Sequence, residues 1–314
     1  MPAQDYTQNS KDPDPHSLAV PESCAGLRLD QALAQLLPQY SRARLSAWVK
    51  AGRVSVDGRT LAPRDKLHGG EKVSVQPMLS PEETAFRPEA IPLNIVYEDE
   101  ALIVINKPPG LVVHPGSGNW QGTLLNALLA HAPQLATVPR AGIVHRLDKD
   151  TSGLLVIAKT LTAQTDLVRQ LQARSVSREY RAVVHGKVAR GGIMEGAIGR
   201  DPRSRIRMAV VPSGKPAVTH YTVLEQLPRA TVLACRLETG RTHQIRVHLQ
   251  KLGHPIWGDP VYGPRNAPAA PQFARQALHA EKLALVHPQT GKTLHWQAPL
   301  PEDMRQLIAA LRDA

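Results

Sequence analysis

The densest group of polar residues in the chain is Gly142-Ile-Val-His-Arg-Leu-Asp-Lys-Asp-Thr-Ser-Gly153. It comes directly before the apolar run 154–158, which has the length and composition of a buried strand. Charged side chains beside a buried strand cost free energy unless they are paired or used in function. This segment is therefore the first candidate for a catalytic site, with Asp148 as its candidate carboxylate.

Two further segments carry residue types that complete such a site. Leu237-Glu-Thr-Gly-Arg-Thr-His-Gln-Ile-Arg-Val-His248 is basic and is interrupted by a glycine. Asn106-Lys-Pro-Pro-Gly-Leu-Val-Val-His-Pro115 follows an apolar run, and its three prolines predict a rigid loop. From residue types alone, Asp148 has three interpretations: a nucleophile, a metal ligand, or a structural partner for an arginine.

Hydrophobic periodicity predicts the elements that hold these segments. Runs of strand length cover residues 101–105, 154–158, 180–184 and 231–235. Helical spacing covers residues 123–132, residues 161–173 and a last helix that begins near Pro301. Strands outnumber helices and do not alternate regularly with them. Residues 90–314 are therefore predicted to form one α+β unit with a mixed, largely antiparallel sheet.

Residues 21–78 are predicted to form a separate and basic unit. Leucines at helical spacing predict a first helix that ends at Pro38, and Ser41 is a suitable N-cap for a second helix that runs to about residue 51. Two short strands follow, the first of them ending in the turn Asp57-Gly58. Residues 28–72 hold nine Lys or Arg against four Asp or Glu. Three of these basic residues bracket the second helix and predict a basic face along a phosphate backbone: Arg42, Arg44 and Lys50.

The segments around this unit are polar. Residues 1–20 are rich in Pro, Asp and Ser and predict a flexible tail, and residues 79–89 hold two prolines and predict a linker. Over the whole chain, Lys and Arg exceed Asp and Glu by 38 − 27 = 11, a balance that favours a polyanionic partner such as RNA. The two cysteines form no disulfide framework or zinc set, and no run resembles a signal peptide or a membrane span. We therefore expect a cytoplasmic monomer without membrane contact.

The motifs carry two resemblances to known families. Arg28-Leu-Asp30, Ser41-Arg42 and the hairpin from Gly52 to Gly58 occur in the order found in the S4 RNA-binding domain. H-R-L-D-K-D-T-S-G, N-K-P-P-G, R-E-Y-R-A and E-T-G-R-T-H-Q-I-R together resemble the RluA-type pseudouridine synthases, over essentially all of residues 90–314. Finer stretches, among them Arg275-Gln-Ala-Leu-His-Ala280, are most similar to the RluD branch of that family.

These resemblances imply an enzyme that isomerises uridine to pseudouridine in structured RNA, by means of an aspartate nucleophile and base flipping. They imply a small S4 (α-L-like) domain, then a catalytic domain with a central mixed, largely antiparallel sheet, and neither cofactor nor metal. The RluD branch implies 23S rRNA or a large-subunit precursor as the RNA partner, the stem-loop called helix 69 as the target, and a role in ribosome maturation.

The same resemblance implies a role for each matching residue. Asp148 matches the catalytic aspartate, and Arg146 matches the arginine that fills the gap left by a flipped uridine. Tyr180 would stack on the target base, Ile245 would pack against it, and Arg246 would be the basic partner of the aspartate. In the S4-like unit, five residues are predicted to contact RNA: Arg28, Arg42, Arg44, Lys50 and Arg53. Three histidines are expected to be structural or to contact phosphate: His145, His243 and His248.

A carboxylate suits this reaction, which breaks the N-glycosidic bond of uridine and forms a C–C bond to the same uracil. The carboxylate can bond to C1′, or take a proton in a glycal-type route, and then leave again. The residues do not distinguish the two routes. Asp150, two residues further on, is expected to accept backbone N–H groups in the turn with Thr151 and Ser152.

Two other functions are weighed against this one. Asp148-Lys-Asp-Thr151 matches the D-x-D-x-T nucleophile motif of haloacid-dehalogenase-type phosphatases, which hold Mg²⁺ with a later acidic pair. Here His145 and Arg146 interrupt the preceding strand, and Asp259 stands alone in G-D-P. The second is a non-catalytic RNA-binding protein, against which the complete set of candidate catalytic residues argues. A product assay distinguishes the three: pseudouridine, released phosphate, or neither.

Overall fold

The computed structural model describes residues 14–78, 85–116, 118–204, 206–264 and 271–313. These residues divide into two compact units, one ending at Arg87 and the other beginning at Pro88. The smaller unit contains the elements β1 His16–Ala19, α1 Leu29–Leu36, α2 Arg42–Lys50, β2 Val54–Val56 and β3 Lys72–Val75.

The larger unit begins with β4 Ile95–Glu98, β5 Leu102–Lys107, α3 Leu124–His131, β6 Ser152–Ala158, α4 Leu161–Gln172, β7 Ser177–His185, β8 Gly192–Glu195 and β9 Ile198–Arg200. It continues with β10 Met208–Val210, β11 Val218–Gln226, β12 Ala230–Leu237, α5 Gln244–Lys251, β13 Leu278–Val286, β14 Thr293–Gln297 and α6 Glu302–Arg312. In the part of the chain that is described, no helix is both long and apolar enough to cross a membrane.

The smaller unit packs its two helices on a three-stranded antiparallel sheet of order β1-β3-β2. Helix α1 buries Leu29 and Leu33, and helix α2 buries Leu45 and Trp48, so the two apolar stripes meet in one core. Ser41 caps α2 by accepting a hydrogen bond from the backbone N–H of Arg44. Both predicted helices and both predicted strands are present.

The prediction of a flexible tail over residues 1–20 is wrong for its last residues. His16–Ala19 form the edge strand β1, which pairs antiparallel with β3 from His16 opposite Val75 to Ala19 opposite Lys72. Leu18 packs against the core of this unit, and Val20 is buried in it. Pairing and burial together order a segment whose polar composition predicts disorder. Residues 1–13 of the predicted tail and residues 79–84 of the predicted linker lie outside the described residues.

The larger unit is built on a nine-stranded sheet of order β4-β5-β6-β13-β7-β12-β11-β8, with β14 paired to β13. The pair β6–β13 is parallel, and the other pairs in the sheet are antiparallel. This confirms the predicted α+β class with a mixed, largely antiparallel sheet. All seven residues of β6 are buried, which explains why that strand reads as a continuous apolar run.

The edge of this unit contains a carboxylate whose environment makes stability depend on pH. Asp99 accepts hydrogen bonds from Tyr97 Oη at 2.6 Å and His287 Nε2 at 2.7 Å, and from the backbone N–H groups of Ala101 and Leu102. Burial would raise the pKa of Asp99, but these four donors outweigh burial and lower it from 3.8 to about 2.

We expect Asp99→Asn to lower the free energy of unfolding by about 2 kcal/mol at neutral pH, since each pKa unit corresponds to about 1.4 kcal/mol. The folded-state pKa is depressed, so this contribution is present above pH 3.8 and is lost as the pH falls through 2. Denaturant unfolding of both proteins between pH 7 and pH 3 measures the difference. A gap between wild type and variant that is absent at pH 7, or that widens on acidification, contradicts the assignment.

Candidate active site

The segment 143–151 forms a loop between a short 3₁₀ turn at Pro139–Gly142 and strand β6. It forms one wall of a pocket of about 270 Å³ in the larger unit. The opposite wall comes from residues 240–246, at the start of helix α5. All five residues predicted to perform chemistry or to bind the base line this pocket: Arg146, Asp148, Tyr180, Ile245 and Arg246.

A chain of three charged side chains lies at the base of the pocket. Arg246 donates from Nη1 to Asp148 Oδ2 at 3.0 Å, as the predicted pairing requires. The other edge of the same guanidinium is held by Asp259, with Nε–Oδ2 at 2.7 Å and Nη2–Oδ1 at 2.9 Å. The side chain of Asp259 is fully buried, whereas that of Asp148 is 16% exposed. Arg246 is therefore fixed from behind by one carboxylate and presents its remaining edge to the carboxylate that faces the pocket.

The electrostatics of this chain keep Arg246 and Asp259 charged. Burial would lower the pKa of Arg246, but its bonds to Asp259 and Asp148 raise that pKa above its usual value. Burial would raise the pKa of Asp259, yet Arg246 and the backbone N–H groups of Tyr262 and Val261 hold it below its usual value. A charged hydrogen-bonded pair of this kind tolerates burial that neither partner tolerates alone.

Asp259 is a site residue that sequence reasoning missed. In the sequence, Asp259 counts only as evidence against a metal-binding acidic pair, because it stands alone in the G-D-P sequence. The structure places its carboxylate in a turn where Oδ1 also accepts from the N–H groups of Val261 and Tyr262, each at 2.9 Å. The stretch that contains it, Gly258-Asp-Pro-Val-Tyr-Gly263, is among those similar to the RluD branch, and that similarity was the signal available.

His243 lies where helix α5 begins and completes the wall beside Asp148. Its backbone has φ 56° and ψ 20°, a left-handed conformation that is uncommon for any residue other than glycine. Its Nδ1 is 2.8 Å from Tyr262 Oη, and its Nε2 is 3.9 Å from Asp148 Oδ1. Burial lowers the pKa of His243, although Asp148 opposes this effect. A neutral ring close to the carboxylate suits a structural role better than that of a permanent cation.

Tyr180 and Ile245 supply the apolar surfaces of the pocket. Tyr180 lies on β7 opposite Cys235 of β12 and Ala280 of β13, and it is 5% exposed. Burial raises the pKa of its phenol, so the ring is neutral at physiological pH. Ile245 lies in the first turn of α5, next to Arg246, and is 4% exposed. The pocket thus combines a charged base with walls on which a flat heterocycle can pack.

The outer wall of the pocket is basic and includes residues that the sequence did not single out. Arg146 and Arg140 are both exposed, and His114 lies near them. Burial and, to a smaller extent, the charges of Arg146 and Arg140 together lower the pKa of His114 to about 4. Arg140 and Ala141 have φ of 55° and 49°, so two successive residues without glycine's freedom are left-handed. Strained backbone of this kind is most often kept at functional sites.

The conformation of this 3₁₀ turn depends on Gly142. It has φ 75°, and a Cβ built on it would lie 1.8 Å from the carbonyl oxygen of Ala158. A side chain therefore cannot be accommodated without displacing the end of strand β6. The glycine lets the chain approach β6 closely, and it thereby places Arg140 and the start of the Asp148 loop at the pocket.

The Asp148 loop is also fixed from the side of the N-K-P-P-G segment. Lys107 is fully buried, and its Nζ donates to the carbonyl oxygens of Pro108, Leu111 and Lys149 at 2.8–3.0 Å. Burial lowers the pKa of Lys107 to about 7, although Asp150 and Asp148 oppose this. The proline-containing segment 106–115 thus supports the Asp148 loop. Its three prolines predicted only that the segment is rigid, and gave no indication of what it supports.

The expected role of Asp150 in the turn is corrected. The hydrogen bond that closes the turn runs from the N–H of Thr151 to the carbonyl oxygen of Asp148. At Asp150, the backbone carbonyl rather than the carboxylate is engaged, by Arg275 Nη1 at 3.0 Å. Backbone groups therefore close this turn, which lies close to strand β13, and the carboxylate of Asp150 is not needed to form it.

Two of the histidines have contacts consistent with the structural roles expected for them. His145 Nε2 accepts from the backbone N–H of Val156 at 3.2 Å, and burial lowers the pKa of this histidine to about 3. His248 Nδ1 lies 3.0 Å from Thr219 Oγ1, and burial lowers its pKa as well. Both rings are therefore neutral and hold backbone or side-chain groups in place.

The predicted basic face of helix α2 is not formed as expected. Successive residues of an α-helix are about 100° apart, so Arg42 and Arg44 lie about 200° apart, on opposite sides of the buried stripe. Arg42 and Arg28 both donate to the buried carboxylate of Asp30, at 2.9 and 3.0 Å. The basic surface of this unit is consequently spread around the helix and is partly neutralised.

Three other predicted RNA contacts on this unit differ in how they are held. Arg44 donates to the carbonyl oxygen of Met78 and lies 5.2 Å from the ring centroid of Trp48. Lys50 and Arg53 are exposed near the end of α2 and the start of β2. Their roles in RNA binding remain predictions, and the exposed pair is the better placed for a phosphate.

The site offers acid–base and nucleophilic groups rather than a metal cage. Within the described ranges, no group of three or more His, Cys, Asp or Glu side chains is placed to hold a metal ion. The charged partner of Asp148 is Arg246, whereas the phosphatase interpretation requires a second carboxylate. Within this pocket, the chemistry open to Asp148 is attack on an electrophilic carbon or removal of a proton.

Comparison with known proteins agrees with this geometry. Residues 101–251 match the family model described as RNA pseudouridylate synthase, and residues 27–73 match that of the S4 domain. The chain is 58% identical over 301 residues to Ribosomal large subunit pseudouridine synthase D of Nitrosomonas europaea, covering 94% of this chain and 88% of the relative. It is 53% identical over 304 residues to the protein of the same name in Escherichia coli strain K12, covering 93% of each.

Solved structures agree as well. Human RNA Pseudouridylate Synthase Domain Containing 1 superposes with a TM-score of 0.54 at 28% identity, covering 72% of this chain and 97% of that one. Human RNA Pseudouridylate Synthase Domain Containing 4 superposes with a TM-score of 0.55 at 26% identity, covering 70% of this chain and 93% of that one.

Proposed function

Since this chain belongs to the RNA pseudouridylate synthase family and is an RNA pseudouridine synthase, we propose that it modifies large-subunit ribosomal RNA with Asp148 as its nucleophile. The observation that carries the proposal is the chain Asp148–Arg246–Asp259 at the base of the pocket. It presents one carboxylate, held by a guanidinium at 3.0 Å, to a space lined by an aromatic ring and an aliphatic side chain.

The chemistry follows from what this carboxylate faces. In the nucleophilic route, a carboxylate oxygen of Asp148 bonds to C1′ as the N1–C1′ bond of uridine breaks. The uracil then turns and its C5 bonds to C1′ as the bond to the aspartate breaks. The proton on C5 passes to solvent, and N1 takes up a proton. In the glycal-type route, Asp148 instead removes a proton from C2′ as the N1–C1′ bond breaks, and the proton returns to C2′ when C5 bonds to C1′ of the glycal. Arg246 stabilises the charged form of Asp148 at the start and the end of either route.

Access to the base requires that the uridine leave its stack, which costs on the order of a few kcal/mol. Tyr180, buried on β7 at the side of the pocket, can recover roughly 1–3 kcal/mol by stacking on the extruded base. Arg146 is exposed at the pocket's outer wall, where its guanidinium is available to occupy the vacated space. We therefore assign base flipping to this pair, with Ile245 packing against the base.

The choice of RNA is supported by the names of the relatives. Proteins called Ribosomal large subunit pseudouridine synthase D are 58% and 53% identical to this chain over nearly its full length. We infer that large-subunit rRNA is the substrate here, and that the stem-loop called helix 69 contains the target uridines. The net charge of +11 supports a polyanionic partner of this kind.

Mapping of pseudouridines in ribosomal RNA tests this proposal. Large-subunit rRNA from cells that lack the enzyme is incubated with the purified protein and sequenced by a pseudouridine-specific chemistry. We expect new pseudouridines in the helix 69 stem-loop and none in small-subunit rRNA treated in parallel. Modification only elsewhere in large-subunit rRNA overturns the helix 69 assignment, and modification only in small-subunit rRNA overturns the choice of substrate.

The two units are expected to divide the work between affinity and chemistry. The smaller unit carries exposed basic residues such as Lys50 and Arg53, whereas the Asp148 pocket lies wholly within the larger one. A variant that begins at Pro88 is therefore expected to bind rRNA more weakly, with a shallower dependence of log Kd on log salt. It is expected to retain turnover at saturating RNA.

Filter binding between about 50 and 200 mM salt and single-turnover kinetics at rising RNA concentration measure both quantities. Circular dichroism and thermal unfolding verify that the shortened protein is folded. A folded variant that makes no pseudouridine at any RNA concentration contradicts this division.

A further inference from the structure

We propose that Arg275 is a positioning residue for Asp148, through which the C-terminal helix α6 fixes the loop that carries the catalytic carboxylate. The inference rests on the proposed role of Asp148. Arg275 belongs to the segment Arg275-Gln-Ala-Leu-His-Ala280, which marks the family branch but has no assigned role. It is not among the described residues that line the pocket, so it acts through other groups.

The guanidinium of Arg275 is engaged on every side. It is 8% exposed as a residue, and it forms a two-point pair with Asp303, with Nε–Oδ2 at 2.7 Å and Nη2–Oδ1 at 2.9 Å. Its remaining nitrogen, Nη1, donates to the carbonyl oxygen of Asp150 at 3.0 Å. Because a guanidinium is planar and rigid, the pairing with Asp303 fixes the direction in which Nη1 points.

Asp303 is itself held in place. It lies in the first turn of α6, where a negative charge is favoured by the helix dipole, and its Oδ1 accepts from the backbone N–H of Met304. Helix α6 is anchored by an apolar face that includes Met304, Leu307 and Leu311, which are at most 4% exposed. Asp303 and Arg275 thus connect helix α6 to the Asp148 loop by short, directional hydrogen bonds between buried or half-buried groups.

Neighbours of Arg275 hold the next residues of the same loop. Gln276 Nε2 donates to Thr151 Oγ1 at 3.1 Å, and His279 Nδ1 lies 2.9 Å from Ser152 Oγ. The segment 275–279 therefore holds the last two residues of the loop, at 150 and 151, and the first residue of β6, at 152. Lys107 holds the preceding residue, Lys149, by donating a hydrogen bond to its carbonyl oxygen.

The close approach of β6 to β13 continues this series of contacts into the sheet. Gly153 has φ 113°, and a Cβ on it would lie 2.2 Å from the carbonyl oxygen of Ala280. The two strands pair in parallel at His279–Ser152 and Ala280–Gly153. The residues after Asp148 are thus held one after another, Lys149 and Asp150 by their backbone carbonyls and Thr151 and Ser152 by their side chains. Within the segment 275–279, Arg275 supplies the contact nearest to Asp148 in sequence.

Such a support affects the reaction rate because it determines where the carboxylate of Asp148 lies. Catalytic groups need placement to within a fraction of an ångström, and a displacement of about 1 Å costs about 10²-fold in rate. Loss of the Arg275 contact frees the carbonyl of Asp150, two residues from the nucleophile. The exposed residues Lys50 and Arg53 of the smaller unit, to which RNA affinity is assigned above, do not depend on that carbonyl. The expected signature is a slower chemical step with unchanged RNA affinity.

The test is Arg275→Gln, assayed for single-turnover pseudouridine formation and for RNA affinity well below the unfolding temperature. We expect the rate constant to fall by about 10- to 100-fold while Kd stays within about twofold. Arg312→Gln is the matched control, because it removes another two-point pair of the same helix, with Glu225 of β11 at 2.7 and 2.8 Å. The control is expected to keep the wild-type rate.

A second pair of variants tests the route through Asp303. Asp303→Asn is expected to slow the same step, and Arg275→Gln/Asp303→Asn is expected to be no slower than Arg275→Gln alone, because both changes break one contact chain. The proposal is overturned by a wild-type rate in folded Arg275→Gln, by a loss confined to RNA affinity, or by an equal loss in Arg312→Gln. Failure of the wild-type protein to form pseudouridine would instead indicate that the proposed function itself is wrong.

Discussion

Replacing Asp148 with Asn is expected to lower the single-turnover rate of pseudouridine formation by at least about 10³-fold, while RNA affinity stays within about threefold. Asparagine has nearly the same shape as aspartate, so the pocket and its basic outer wall are retained. It lacks the negative charge and the nucleophilic oxygen, and neither proposed route can proceed without them. Gel-shift titration and mass-spectrometric counting of pseudouridine measure the two quantities separately.

Asp150→Asn is the matched control, since it removes a second carboxylate from the same loop. The carbonyl of Asp150 is the group that contacts Arg275, and the substitution leaves that carbonyl in place. We expect this variant to keep its rate to within about tenfold. Substantial product from Asp148→Asn, with conversion back to Asp excluded by mass spectrometry, or complete loss in Asp150→Asn alone, would reassign the nucleophile.

Arg246→Met is expected to lower both stability and activity. It leaves the fully buried carboxylate of Asp259 without its partner, and breaking a buried pair in this way costs about 3–5 kcal/mol. The pKa of Asp259 is then no longer held down by Arg246, so the carboxylate is protonated as the pH falls. The loss of stability relative to wild type is therefore expected to be largest at neutral pH and to shrink on acidification, as denaturant unfolding will show.

The double variant Arg246→Met/Asp259→Asn separates the two effects. With the buried negative charge removed, most of the lost stability is expected to return, because replacing both partners of a buried pair is often close to neutral. Activity is not expected to return, since Asp148 still lacks the guanidinium that lies 3.0 Å from it. Recovery of the wild-type rate in the double variant would mean that Arg246 has only a structural role.

The elements with apolar periodicity were predictable from the sequence. Helices α1, α2, α3, α4 and α6 and the buried strand β6 carry apolar residues at the spacing that burial requires. Helix α5 was not predicted, because the residues that it buries include Gln244, Arg246 and His248. Gln244, His248 and Arg246 form hydrogen bonds with Thr239, Thr219 and Asp259, respectively, and only the fold reveals those partners.

Strands with mixed exposure were missed for a related reason. Strand β1 has four residues and follows a polar segment, and its pairing partner lies more than 50 residues away in β3. Strand β11 alternates between exposed and half-buried positions and carries several polar residues. Strands such as these are ordered by tertiary pairing, to which local propensity contributes little.

Only those site residues that lie in segments with a recognisable motif were predictable from the sequence. Asp148, Arg146, Tyr180, Ile245 and Arg246 belong to segments that resemble a known family, and the structure brings all five to one pocket. Asp259 and Arg275 act on these residues from stretches to which the resemblance assigns no role. Their importance depends on three-dimensional distances of about 3 Å between segments more than 10 residues apart in sequence, and a single sequence does not encode those distances visibly.

Release of hydrogen from C5 of uridine tests the central claim most directly. When C5 bonds to C1′, the C5 hydrogen must leave, so each isomerisation of uridine tritiated at C5 releases one tritium to water. With unmodified large-subunit rRNA labelled in this way, we predict tritium release by the wild-type protein that equals, mole for mole, the pseudouridine found in the product. Absence of release from this RNA, or release without pseudouridine, would contradict the account.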